Sequence, residues 1–139
     1  MTRGEAKDAV LGLLKAEWDG LTPPIPEIRW PDQDEGAFPP STASWARVAC
    51  YDVEGSQHSL GVTGGRRFVR AGLVVIEIHT PRGDGEATME TLLGAVRAAL
   101  EGKSVGALET RDFTELPPVS EGPWRRAAVT VGFVYDEVK

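Results

Sequence analysis

The spacing of apolar positions along the chain predicts two helices and five strands. Across residues 4–18, Val10, Leu11, Leu14 and Trp18 recur at three- and four-residue intervals, opposite Glu5, Lys7, Asp8 and Lys15. That is the stripe of a helix with one buried side. Gly20 is placed to end it. Ile25–Trp30 predicts a short edge strand within a proline-rich stretch: Pro23, Pro24, Pro26 and Pro31, then Pro39 and Pro40. Proline lacks an amide donor and fixes φ, so no helix forms there. Trp45–Val53 reads as a strand in which Trp45, Ala49, Tyr51 and Val53 alternate with Ala46, Val48 and Cys50, and Glu54-Gly55 reads as its break.

Residues 56–66 are polar and contain Gly61, Gly64 and Gly65, which predicts a mobile loop or a loosely held hairpin. Phe68–His79 carries the strongest strand signal, through the β-branched run Leu73-Val74-Val75-Ile76. Such a run predicts a central strand covered on both faces. Pro81–Gly85 is a turn, and Glu86–Glu101 is a helix with Met89, Leu92, Leu93, Val96, Ala99 and Leu100 as its apolar stripe and Gly102 just past its end. A strand near Leu108–Thr114, a turn at Pro117-Pro118 and a last strand Trp124–Tyr135 follow, the last with Ala127, Val129, Val131, Phe133 and Tyr135 on one face. The order α-β-β-β-α-β-β predicts the α+β class: a mixed, mostly antiparallel β-sheet packed with two α-helices, in one domain spanning 1–139.

Composition narrows the setting. The chain of 139 residues is 41% hydrophobic, enough for one core without disulfide or metal staples. The single cysteine, Cys50, excludes an intramolecular disulfide. No apolar run approaches the ~20 residues of a membrane span. Met1–Glu5 leads into mixed charges rather than an apolar signal segment, so a soluble protein made inside the cell is expected. The net charge of −6 argues against a general nucleic-acid binder. The acidity is polarised: residues 1–40 hold four Lys/Arg against eight Asp/Glu, and the remainder eleven against thirteen.

Three strings resemble catalytic or binding motifs, and each has the wrong context. Gly102-Lys103-Ser104-Val105-Gly106 matches G-x-S-x-G, but it follows a helix and precedes a strand, the reverse of a nucleophile elbow. Both histidines, His58 and His79, also precede Ser104. As a phosphate loop the same segment lacks its first glycine, since Arg97 stands there. Gly83-Asp84-Gly85 joins a buried strand to a helix, as a dinucleotide turn does, but Thr88 replaces the third glycine and Asp84 and Glu86 repel phosphate. Cys50, His58 and His79 have no metal-ligand spacing. His79 reads as a satisfied strand-end histidine and His58 as a solvated loop residue. No catalytic, cofactor or metal residue is therefore assigned.

The remaining candidates are contact residues. Arg66, Arg67 and Arg70 form one basic group and Arg125 with Arg126 another. They read either as solvated strand edges that discourage aggregation or as an interface for a neighbour's acidic surface, as in head-to-tail ring packing. Trp18 and Trp45 read as core, whereas Trp30 and Trp124 sit beside proline or arginine as interface anchors.

The order of these landmarks resembles the tail terminator (minor tail protein) family of long-tailed phages, prophages and gene-transfer particles. The landmarks are the N-terminal helix, Ile25-Pro26, Phe38-Pro39, Trp45, Ser56-Gln57, Gly64-Gly65-Arg66-Arg67, Gly72, Pro81-x-Gly83-x-Gly85 and Gly122-Pro123-Trp124, which span almost the whole chain. The resemblance implies a structural virion protein without cofactor. It would form a homo-oligomeric ring, hexameric in that family, cap the tail tube to end its polymerisation, and offer the surface onto which the head docks. It implies as partners the tail tube protein and a head–tail connector protein, with no membrane and no sequence-specific nucleic acid, and a place in the virion tail. A head–tail connector or stopper is a close alternative, and a small nucleotide-binding domain using the Gly83–Thr88 turn a distant one.

Overall fold

The structure is a computed structural model that describes residues 1–23, 25–31, 39–57, 63–83 and 86–139. Thr2 opens the first helix, α1 (Arg3–Asp19): its hydroxyl accepts the Glu5 amide at 3.2 Å, and the Glu5 carboxylate accepts the Thr2 amide at 2.8 Å. This capping box satisfies two donors that the first turn leaves open. Ala6, Val10, Leu14 and Trp18 are the buried stripe, and Leu11 lies at its border. The second helix, α2 (Ala87–Leu100), buries Met89, Leu92, Leu93, Val96, Ala99 and Leu100 as the pattern predicts. Gly102 follows it with φ +65°, a conformation that favours glycine. Neither helix is long and apolar enough to cross a membrane.

Among the described residues, six strands form one sheet: β1 (Glu27–Arg29), β2 (Trp45–Gln57), β3 (Arg67–Pro81), β4 (Ser104–Val105), β5 (Leu108–Glu121) and β6 (Trp124–Val138). Their spatial order is β1-β2-β3-β6-β5-β4. Only β1 and β2 run parallel; every other pair is antiparallel. The class is α+β as expected. The last strand enters between β3 and β5, so β3 and β5 point the same way with β6 separating them. Both helices pack on one face of this sheet, over Val48, Val74, Ile76, Ile78 and the Ala127–Tyr135 stripe.

Three local expectations need correction. The β3 strand is central but not covered twice: Val74, Ile76 and Ile78 are buried while Leu73, Val75 and Glu77 on the other face are only half-buried. A β-branched run reports strand propensity, and it cannot say that both helices sit on the same side. Glu54-Gly55 is not a break. A bulge between Asp52 and Glu54 absorbs one residue, and β2 continues to Gln57 opposite Phe68. Gly55 leaves room for the Arg70 side chain, whose guanidinium would stand 2.3 Å from a Cβ placed there. Of the two readings for 56–66, the pairing of Ser56 and Gln57 with Val69 and Phe68 fits the hairpin, and residues 58–62 lie outside the described residues.

Pro117-Pro118 is not the turn either. The chain reverses at Gly122-Pro123, and the prolines fall where β5 shifts register between Leu116 and Val119. At such an irregularity the missing amides cost no ladder bond. A second irregularity lies between Arg111 and Thr114, where Asp112 takes φ 57°. Gly132 faces it, with the Arg111 carbonyl 3.2 Å from where a Cβ would stand.

Candidate interaction surfaces

The register separates the basic groups that the sequence suggests as one interface. Arg67 and Arg70 open β3, whereas Arg126 pairs with His79 near its far end. At about 3.3 Å per residue the two groups lie roughly 30–40 Å apart. Alternation then divides Arg125 from Arg126. Arg125 points to the helix side and meets Glu86 at 3.0 Å; Arg126 lies on the bare face, 3.8 Å from Glu77 and 3.1 Å from Glu121. Arg67 pairs with Asp136, and Arg70 lies 3.9 Å from Glu137, which Lys139 also meets at 3.2 Å. Arg66 exchanges backbone hydrogen bonds with Lys139. These arginines are thus held by carboxylates or backbone of the same chain, and none forms a free basic patch.

Trp124 is part of an aromatic cluster that the sequence did not reveal. On the bare face Trp45 stacks on His79 at 4.0 Å and 6°, and Trp124 stands edge-on to both, at 5.7 and 6.2 Å. Its indole N–H donates to the Ala43 carbonyl at 3.3 Å. The guanidiniums of Arg29 and Arg47 lie 5.1 and 5.3 Å from the Trp45 ring, within cation–π range. Register explains the meeting: Trp45 and Arg126 are the two cross-strand neighbours of His79, and Trp124 lies opposite Pro81. No spacing in the sequence shows residues 45, 79 and 124 as neighbours.

His79 is 4% exposed, and neither ring nitrogen has a hydrogen-bond partner among the described residues. It is therefore a stacked histidine rather than a hydrogen-bonded one. Burial pushes its pKa below the ordinary value; Glu77 and Glu121 oppose that, and Arg47 and Arg126 add to it. The folded chain then binds fewer protons than the unfolded one, so stability falls as pH drops below about 6.5 towards the lowered value. His79→Phe keeps the stack and removes the titration. Urea midpoints measured from pH 5 to 7 should show a shallower slope in that variant than in the parent. Identical slopes would mean that folding does not lower the His79 pKa.

Trp30 stands at the lip of a cleft of about 860 Å³ at the outer edge of β2. One wall is α1, through Lys7, Leu11, Gly12 and Lys15, and the other is β2 from Arg47 to Tyr51. The β1 strand pairs with β2 only over Trp45–Arg47. Beyond that point no described strand lies along the outer edge of β2. Cys50 borders the cleft, and burial pushes its thiol up, which disfavours the reactive thiolate.

The opposite margin of the sheet is similar. The β4 strand covers β5 only at Leu108 and Glu109, so the outer edge of β5 beyond them has no described partner. Exposed large apolar side chains gather at these two margins: Tyr51 (55% exposed) and Val53 (64%) on β2, Leu116 (50%) and Val119 (47%) on β5. The sequence placed neither pair, because exposure at a sheet margin depends on which strands end the sheet.

The distant motif alternatives gain no geometry. Ser104 lies in β4 between Gly102 and Gly106, both at positive φ. In the Gly83–Thr88 turn, Asp84 and Gly85 lie outside the described residues. The neighbours of β3 are both antiparallel, whereas a dinucleotide crevice opens at the ends of parallel strands. Cys50 and His79 lie on opposite faces of the sheet, and His58 is outside the described residues.

No family model matches the sequence, and no curated protein does. Among solved structures, one protein whose name states no function is similar in fold, with a TM-score of 0.66 over 97% of this chain and 96% of that one. At 16% identity, the likeness concerns the fold alone.

Proposed function

We propose that this chain is a structural assembly protein of a long-tailed phage or a related particle, a tail terminator. In this reading it joins a homo-oligomeric ring, hexameric by family resemblance. The ring caps the tail tube, ends its polymerisation, and presents the surface met by the head–tail connector. The observation that carries the reading is the one-sided sheet. Both helices cover one face, and the other presents Ala49, Tyr51, Leu73, Val75 and Thr130 between the arginine–glutamate groups. A broad bare face is suited to a large protein surface. The landmarks behind the resemblance also hold structural positions: Trp45 and Trp124 in the aromatic cluster, Gly72 beneath Phe133, and Gly122-Pro123 at the last reversal.

The test adds purified protein to polymerising tail tube protein from the same genome, with tube lengths read by electron microscopy. Tubes that stop short and carry an annular cap of six subunits are the expected result. An unchanged length distribution at saturating protein, with bare tube ends, would overturn the reading.

A further inference from the structure

We infer that copies of this chain join edge to edge, the outer edge of β2 on one copy pairing with the outer edge of β5 on the next, so that one sheet runs on into its neighbour. Three observations carry this. Both margins leave long stretches of strand without a described partner, β2 beyond Arg47 and β5 beyond Glu109. Unpaired strand edges are templates for another chain. Among the described residues, the two margins also hold four of the six exposed large apolar side chains: Tyr51 and Val53 on one, Leu116 and Val119 on the other. Finally, the cleft between α1 and β2 lies where an added strand would run, and a Cβ on Gly12 in its wall would meet nothing within 4 Å.

The strand directions fit a second copy as the occupant. Counting across the sheet, β2, β3, β6 and β5 alternate in direction, so β2 and β5 are opposed. A second copy placed beside the first without being turned over therefore brings its β5 antiparallel to this β2. Each copy then offers one margin and receives the other, the head-to-tail arrangement that closes into rings. Tyr51 lies on the bare face, as do Leu116 and Val119, opposite Ala128 and Arg126. In the joined sheet they meet on one side as cross-strand apolar pairs. Pro117 and Pro118 have no amide to donate and interrupt the β5 edge, which confines pairing to short segments and opposes indiscriminate stacking.

The inference adds an interface to the ring in the proposed function and rests on that reading only for closure at a fixed number. Cross-linking tests it in a Cys50→Ser background, which removes the native thiol. One preparation carries Tyr51→Cys and the other Leu116→Cys. They are mixed under mild oxidation, alone and with tail tube protein, and separated without reductant. The expected result is a disulfide between unlike chains, several-fold more abundant than either disulfide between like chains. A second measurement uses Leu116→Lys with Val119→Lys, both exposed positions. Light scattering should show the parent associating with concentration and this variant remaining monomeric, with unchanged circular dichroism.

Predominance of the Tyr51→Cys homodimer would overturn the inference, because it would mean that β2 pairs with its own copy. Absence of cross-links both alone and on tubes would overturn it as well. Capped tubes without these cross-links would sink the interface and leave the terminator reading standing; cross-linked rings that leave tube length unchanged would do the reverse.

Discussion

Replacing Gly72 by alanine should destabilise the fold by about 3 kcal/mol, at the upper end of what overpacking a filled core costs. The backbone argument alone gives the opposite sign, since alanine is favoured over glycine within a strand. Space decides. A Cβ on Gly72 would stand 2.2 Å from Phe133 Cζ and 2.7 Å from both Cε atoms. Phe133 is buried and stacks with Tyr135 at 6.2 Å, so its ring has no open side to move towards. Thermal unfolding should shift down by roughly 10 °C for a domain of this size. Gly72→Ala combined with Phe133→Leu should recover part of that loss, because the obstructing ring is gone. A Gly72→Ala melting point within a degree of the parent would refute the close contact.

Trp18→Ala should have a comparable effect, about 3–5 kcal/mol, the usual cost of deleting a buried large aromatic side chain. Trp18 is fully buried at the end of α1, and its indole N–H donates to the Pro26 carbonyl at 2.8 Å. It therefore belongs to the core and also tethers the segment leading into β1. Trp18→Phe separates the two roles, keeping most of the apolar bulk and losing only the hydrogen bond, worth about 1 kcal/mol. Urea unfolding should rank parent, Trp18→Phe and Trp18→Ala in falling order. Hydrogen exchange at Glu27–Arg29 should quicken in Trp18→Phe more than at the β3–β6 centre. Uniform acceleration in both places would show that the tether is not local.

Elements whose signal lies in their own residues were legible in the sequence. The α2 stripe and the Ala127–Tyr135 alternation both match the buried set residue for residue, because helix and strand periods are local properties. What depends on which strand lies beside which was not. The burial of only one face of β3, the Trp45–His79–Trp124 cluster and the separation of the arginine groups all follow from register between distant segments. Turn signals misled where the fold had another use for the residue: Pro117-Pro118 marks a strand irregularity, and Gly55 makes room for Arg70. Of the suggested contact residues, Trp30 borders the β2 cleft, while Trp124 and the arginines are engaged within the chain.

The insertion of β6 between β3 and β5 also sets an order of events in folding. Residues 67–81 and 108–121 do not pair with each other; both take as their inner neighbour the strand 124–138, which follows them in the sequence. The β5–β6 hairpin forms from local contacts, but its docking on β3 closes a long loop and belongs to the slow class of non-local pairings. Until the hairpin docks, the facing edges of β3 and β6 are as open as the outer margins. Among the described strands, four pairing edges are therefore open before docking and two after it. Concentration and temperature during refolding should govern yield more strongly than the stability of the finished sheet does.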